Sequence, residues 1–306
     1  MTSAQADRGT PDPDSTSVTP GTPPLALAAG LVTVVLWASA FIGIRAAGKD
    51  INPGALTLAR LFIGAVVLGV VVAVRRVGLP PRADLPRLLL CGLLWFGIYN
   101  VALNAAEQRI DAGTTAMIIS LGPVLIAILA AALLKEGLPR ALVVGGGVAF
   151  AGVLLIGVAT SSQGLSAGTG TALALLSAVA YAGGVIAQKP LLANTSALMV
   201  TWLACLIGAA LCLPFLPQLI DDLSHASGEA IGWTLYLGVF PTAVAFTTWG
   251  YALARSTAGR MGALTYLSPP IAVTLAWLIL DETPPWLALV GGVLSLAGVV
   301  FSQRKK

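Results

Sequence analysis

Arg60 is the residue whose type and place ask most for a chemical explanation. It lies inside an apolar run over 54–74. If that run is a helix rising 1.5 Å per residue, the guanidinium sits roughly 9 Å from its end. A charge at that depth in lipid is costly, so it should face the interior of a bundle and find a partner there. Thr57, Arg60 and Gly64 fall at i, i+3 and i+7 and share one face. A guanidinium is a planar fork of donors matched to a carboxylate. Arg60 is therefore a candidate for holding an anionic group of a substrate. The alternative is a structural ion pair, with Glu107 near the same level as the available partner.

Other polar and aromatic residues recur at helical spacing. Asn100, Asn104 and Glu107 stand at i, i+4 and i+7, with Trp95 and Tyr99 on the adjacent stripe. Ser177, Tyr181, Gly184 and Gln188 form a second stripe, and Met261, Thr265 and Ser268, beside Tyr266, a third. Trp37 and Phe41 are one turn apart, and Thr248 and Tyr251 lie on another run. Amides and rings of this kind suit a small polar or aromatic solute; interhelical hydrogen bonding is the competing explanation. Trp37, Tyr99, Asn100, Asn104, Tyr181, Thr248, Tyr251, Thr265 and Tyr266 join Arg60 as expected substrate contacts. None of the 13 acids is central in an apolar run, which argues against a pump for cationic drugs. Glu107 comes nearest and is the candidate for proton coupling. Pro123 and Pro269 fall inside apolar runs, where proline bends a helix; they are expected to act as gates or as static bends.

Several classes are excluded. No GxxxxGK[ST] loop is present, so ATP coupling within the chain is not expected. Cys91, Cys205 and Cys212 lie in apolar runs without a CxxC or Cys/His cluster, so no metal, cofactor or disulfide framework is indicated. A membrane-embedded enzyme would need clustered His, Asp or Glu. The single histidine, His225, stands in an expected loop near Asp221 and Asp222. The net charge of +4 is confined to short loops and the C-terminus rather than a basic face, so nucleic acid is not an expected partner. The sequence is silent on self-association.

These residues need elements to position them. Of 306 residues, 57% are apolar and 10% charged, with a mean hydropathy of +0.90. Soluble domains carry about a quarter charged residues, so the lipid bilayer is the expected solvent. Runs of spanning length are predicted at 25–46, 54–74, 87–107, 112–134, 141–159, 169–188, 196–214, 230–253, 257–279 and 285–302. Turns are expected at Leu79-Pro80-Pro81, Lys189-Pro190 and Thr283-Pro284-Pro285. Residues 1–24, rich in Pro, Ser and Thr, read as a disordered cytoplasmic tail without a signal peptide.

Lys and Arg favour short cytoplasmic loops. With the N-terminus inside, 13 of the 17 basic residues fall inside: Arg8, Arg75, Arg76, Arg82, Arg87, Lys135, Arg140, Lys189, Arg255, Arg260, Arg304, Lys305 and Lys306. Arg45, Lys49 and Arg109 fall outside, as does the loop with Asp221, Asp222 and Glu229. Both termini are expected in the cytoplasm, and the membrane is expected to be the plasma (inner) membrane.

The chain also repeats itself. Residues 106–153 align with 252–299 at an offset of 146: Arg109 meets Arg255, Gly113 meets Gly259, and Leu121-Gly-Pro123 meets Leu267-Ser-Pro269. Glu136 meets Glu282, Pro139 meets Pro285, and Gly145-Gly146 meets Gly291-Gly292. Upstream, an offset of 144 places Arg45 on Lys189 and Thr57 on Thr201. Five spans per copy is an odd number, so the second copy enters the membrane reversed, the plan of many secondary transporters. The predicted fold is an all-α membrane protein of ten transmembrane helices in two inverted five-helix repeats, 25–159 and 168–302, with a basic cytoplasmic end at 303–306. The glycines Gly145, Gly146, Gly152, Gly291, Gly292 and Gly298 are expected to permit close helix packing. Glu136 and Glu282 are expected in capping or gate loops, and Trp286 as an interfacial anchor.

Together, Trp37-Ala-Ser-Ala-Phe41, Pro53 with Arg60, the Leu-x-Pro pairs, Glu136 with Glu282, and the Gly-Gly pairs give the chain over 25–302 a resemblance to a known family. It resembles the EamA-type ten-helix members of the drug/metabolite transporter superfamily. The resemblance implies a central substrate cavity lined mainly by spans one to four and six to nine, with five and ten as scaffold. The expected function is secondary transport: export of a small amino acid-like, zwitterionic or anionic metabolite by alternating access. A non-transporting membrane scaffold or receptor is the alternative, disfavoured by polar stripes inside several spans.

Overall fold

The computed structural model describes residues 22–110, 115, 118–160, 168–280 and 285–304, and the regular structure among them is helical. Helix α1 (Pro24–Ala47) and α2 (Pro53–Arg75) each open with proline in the first turn, where its missing N–H is no loss. α2 stops at Arg76, whose φ of 48° is left-handed. α3 (Arg82–Glu107) contains a π turn at Gly92–Ile98. α4 (Leu121–Leu133), α5 (Arg140–Thr160), α6 (Thr169–Leu191) and α7 (Ala197–Leu211) follow. α8 (Gly228–Ala254) carries a π turn at Gly238–Val244. α9 covers 258–280 as Ala258–Leu264, a 3₁₀ turn Thr265–Leu267, and Ser268–Leu280. α10 is Trp286–Ser302.

Among the described residues, α1, α2, α3, α6 and α8 are apolar and long enough to cross a bilayer. α7 joined to its bent continuation makes a sixth, and the helices at α4, α5 and α10 are shorter but apolar. Large apolar side chains such as Phe62, Val70, Leu89 and Val293 project outward, as lipid-facing walls require. The chain is a multi-pass membrane protein.

Two expected turns are helical. Pro190 lies inside the last turn of α6, where a missing N–H interrupts only the end of the hydrogen-bond ladder. Beyond α7 the chain bends by 54° into Leu213–His225, which holds Asp221, Asp222 and His225. Leu216, Leu219, Ile220 and Leu223 in that stretch have helical period, so a loop was the wrong expectation. Thr283, Pro284 and Glu282 lie outside the described residues, as do Gly113 and nearly all of the 1–24 tail.

The packing shows the repeat more sharply than the sequence. α1 packs on α8, and its equivalent α6 packs on α3. α3 packs on α7, and α8 on α2; α4 packs on α6, and α9 on α1. The pairs α2–α7, α4–α9 and α5–α10 are each their own equivalent. The π turns also coincide, since 92 + 146 = 238 and 98 + 146 = 244.

α5 and α10 make the most extensive helix pair. A Cβ on Gly145 would lie 2.4 Å from Ser302 N, one on Gly298 2.3 Å from Ala149 N, and one on Gly152 2.5 Å from Gly291 O. Only glycine permits that approach. Gly146, by contrast, faces open space.

The α1–α2 and α7–α8 connections meet at one end of the bundle, called here the acidic end after Asp50 and Asp222. The opposite, basic end carries Arg75, Arg76, Lys135 and Lys189.

Candidate functional site

A cleft in the bundle centre has a cavity volume of about 80 Å³. Trp37 and Phe41 reach it from α1, Arg60 from α2, and Trp95, Tyr99 and Asn100 from α3. Ser120 and Pro123 come from the α4 side, Tyr181 from α6, Phe246 from α8, and Thr265, Ser268 and Pro269 from α9. Ile44, Leu103 and Ile119 extend the lining toward the acidic end.

The floor is aromatic. Trp95 packs against Trp37, Phe246, Trp249 and Tyr181 with ring centroids 5.9, 5.0, 5.8 and 5.5 Å apart. These are edge-on or tilted geometries of the kind ring quadrupoles favour. Trp37 Nε1 donates to the Pro241 carbonyl across 3.2 Å. Trp37 and Tyr181 are themselves repeat equivalents, since 37 + 144 = 181.

Arg60 is 3% exposed and is the only charged residue lining the cleft among the described residues. Its Nε donates to Thr242 Oγ1 at 3.1 Å, and Thr242 Oγ1 donates onward to the Leu237 carbonyl at 2.8 Å. The partner is thus a hydroxyl in the π turn of α8. Glu107, the partner anticipated from sequence, instead faces a second cavity of about 200 Å³ with Arg45, Lys49, Asn104 and Gln108. There Glu107 Oε1 and Asn104 Oδ1 are buried without a hydrogen-bond partner, while Asn104 Nδ2 donates to Thr57 Oγ1 and the Pro53 carbonyl.

The stripe Asn100–Asn104–Glu107 is therefore divided: Asn100 and Leu103 face the central cleft, Asn104 and Glu107 the second cavity. Three further candidates do not line the cleft. Thr248 is 2.8 Å from Thr33 Oγ1 at the α1–α8 contact. Tyr251 carries the Arg255 guanidinium 3.7 Å above its ring. Tyr266, 2% exposed, packs on Phe150, and its carbonyl accepts from Ser295 Oγ, so it faces the α5–α10 pair. Thr248 and Tyr251 lie in α8 beyond its π turn, where one extra residue rotates the following turns by about 100° relative to an unbroken helix. Pro123 and Pro269 both line the cleft but sit in the first turn of Leu121–Leu133 and Ser268–Leu280, after local breaks, rather than mid-helix.

Sequence reading also missed the hydrogen bonds that tie the copies. Ser177 Oγ on α6 donates to the Tyr99 carbonyl at 3.1 Å, and Thr33 Oγ1 on α1 donates to the Ala245 carbonyl at 3.2 Å. They are repeat equivalents, 33 + 144 = 177 and 99 + 146 = 245. Each acceptor is the residue just after a π turn.

Hydrogen bonds tie the helix ends together at both ends of the bundle. At the basic end Glu136 accepts the backbone N–H groups of Ala258 and Gly259 at 3.0 and 3.3 Å, capping the start of α9. Lys189 Nζ donates to the carbonyls of Leu253 and Ser256 at the end of α8. At the acidic end Asp50 accepts from Ser227 N and Oγ, and Asp222 from Asn52. The Ser227 hydrogen bonds hold the Asp50 carboxyl below the usual carboxylate range.

The family assignment rests on a match made twice: the model of the EamA-like transporter family covers residues 24–158 and again 168–303. The chain belongs to the EamA-like transporter family. It is thus a membrane transporter of the drug/metabolite transporter superfamily. It is 38% identical over 276 residues to a "Probable terminal-alkyne amino-acid exporter" of Streptantibioticus cattleyicolor, covering 90% of this chain and 92% of that protein. It is 27% identical over 285 residues to a "Probable amino-acid metabolite efflux pump" of Salmonella typhimurium, covering 89% and 92%. One solved crystal structure superposes with a TM-score of 0.76 at 21% identity over 90% of this chain and 95% of that one, showing a shared fold.

Proposed function

We propose that the protein exports small, zwitterionic, amino acid-like metabolites across the plasma (inner) membrane by alternating access, with the basic end and both termini in the cytoplasm. The observation that carries this reading is a lone guanidinium, Arg60, set in a cleft otherwise lined by aromatic, aliphatic, hydroxyl and amide groups. A carboxylate placed against Arg60 gains a charge-assisted bond in a low-dielectric site. An apolar or aromatic side chain of the solute is then received by Trp37, Trp95, Tyr99, Tyr181 and Phe246. The names of the two relatives point to the same solute class.

In this reading the basic end is shut, and the cleft, lined toward the acidic end, is the outward-open state. Asn100 and Thr265 complete the substrate wall, and Asn104 stands in the vestibule. The breaks before Pro123 and Pro269 are the points at which α4 and α9 gate. The ranges 25–159 and 168–302 are the units that exchange conformations. Glu107, with an unpaired buried oxygen, is the group for proton coupling.

The test is efflux. Cells loaded with a panel of neutral L-amino acids and their non-proteinogenic analogues should release one or more faster when this protein is produced. Equal release with and without it across the panel would contradict the reading.

A further inference from the structure

Two buried side chains, one beside the aromatic floor and one within it, carry polar atoms that lack partners. Gln188 on α6 is 0% exposed, and neither its Oε1 nor its Nε2 makes a hydrogen bond; Trp249 on α8 is also 0% exposed, with its Nε1 unpaired. Buried polar groups are nearly always paired, and leaving one unpaired is costly. An apolar core position would be met more cheaply by Leu or Phe. These side chains are therefore suited to surroundings other than the closed ones they have here.

The repeat says what those surroundings are. Gln188 is the equivalent of Ile44 (188 − 144 = 44) and Trp249 of Leu103 (249 − 146 = 103). Ile44 and Leu103 line the central cleft where it extends toward the acidic end. Exchanging the conformations of the two copies would open the basic end and put Gln188 and Trp249 on the corresponding wall.

A second correspondence agrees. Asn104, which lines the vestibule at the acidic end, is the equivalent of Gly250 (104 + 146 = 250). Gly250 brings no side chain, but Gln188 Nε2 is 3.8 Å from where its Cβ would be. An amide stands at both places, carried by α3 at one end and by α6 at the other. Beside it, Lys189 is held on the Leu253 and Ser256 carbonyls, and opening there would free its charge.

We propose that Gln188 and Trp249 form a polar subsite on the basic-end half of the path. It is shut in the present state and exposed when the basic end opens, and there the amide and indole N–H groups receive the carboxylate of the zwitterionic solute. The subsite rests on the transport reading above. It adds a loading site distinct from the Arg60 cleft, so that a solute entering from the basic end meets hydrogen-bond donors before the guanidinium.

Labelling and transport test it separately. In oriented proteoliposomes, Gln188→Cys should react with methanethiosulfonate-ethylsulfonate, a small impermeant anion, at least tenfold faster from the basic end than from the acidic end. The wild-type chain, whose three cysteines, Cys91, Cys205 and Cys212, are all buried, is the blank. Labelling no faster than the blank, or equal from both ends, would overturn the proposal. Independently, Gln188→Leu nearly keeps volume, Trp249→Phe keeps an aromatic ring, and both remove the donors. Each should raise the ratio of KM at the basic end to KM at the acidic end about tenfold for the neutral amino acid that the wild type transports. An unchanged ratio in both variants would also overturn it. If the wild type moves no amino acid, the transport reading fails, and the labelling still decides whether this wall opens.

Discussion

Arg60 on α2 of the first copy is hydrogen-bonded through Nε to Thr242 Oγ1 on α8 of the second, across 3.1 Å. The bond holds the guanidinium in place without neutralising it, which leaves the positive charge for a solute. Arg60→Gln should therefore weaken binding of a carboxylate-bearing substrate. A hydrogen bond to a charged group contributes about 1.5–3 kcal/mol, so the expected rise in KM or Kd is roughly tenfold to hundredfold. The corresponding amide derivative of the solute should lose little. Binding measured in detergent by isothermal calorimetry checks this; equal loss for acid and amide would contradict it.

The scaffold pair makes a stability prediction. Gly298→Ala puts a methyl 2.3 Å from Ala149 N, which α5 and α10 can accommodate only by moving apart. Overpacking of this kind costs about 1–3 kcal/mol, so the melting temperature in detergent should fall by several degrees. Gly146→Ala, facing open space, is the matched control and should melt like the wild type.

How much of this was legible beforehand follows from what each feature depends on. The inverted repeat could be read because Arg109, Glu136, Pro139 and the glycine pairs recur in register, and a register survives in one dimension. Arg60 could be read because a charge in an apolar run stands out by composition. The face of a helix beyond an irregular turn could not. Thr248 and Tyr251 stand out as a polar pair on one run, and their own spacing does not tell which face of α8 meets the cleft beyond the π turn at Gly238–Val244. Asn100, Asn104 and Glu107 all follow the π turn of α3 and share a helix face; they divide by height instead, about 6 Å for each i, i+4 step. Thr242 escaped notice because a threonine in an apolar run has no signature until its hydroxyl is seen beside a guanidinium. The orphaned amide of Gln188 is likewise visible only once its neighbours are known.

Asp50 gives a pH dependence. Its carboxylate accepts two hydrogen bonds from Ser227, which lowers its folded-state pKa. A depressed carboxylate stabilises the fold above its unfolded value, about 3.9 for Asp, and that contribution is lost as pH falls through the lower folded value. Asp50→Asn should melt below the wild type near neutral pH, with the difference shrinking under acid conditions. A difference that grows on acidification would contradict the sign.

Orientation can be read from Gly78, exposed in the α2–α3 connection with open space around its Cβ position. Gly78→Cys should be labelled by an impermeant maleimide in inverted membrane vesicles and spared in intact cells. Labelling in intact cells would place the basic end outside and reverse the assigned direction of the cleft.

The central claim is that the Arg60 cleft carries amino acid-like zwitterions through the membrane. Counterflow in proteoliposomes tests it most directly, with unlabelled neutral L-amino acid trapped inside and a trace of the labelled solute outside. The account predicts transient accumulation of label by the wild type and its loss in Arg60→Gln at the same protein density. Accumulation undiminished in Arg60→Gln, or none in the wild type with any member of the amino acid panel, would contradict it.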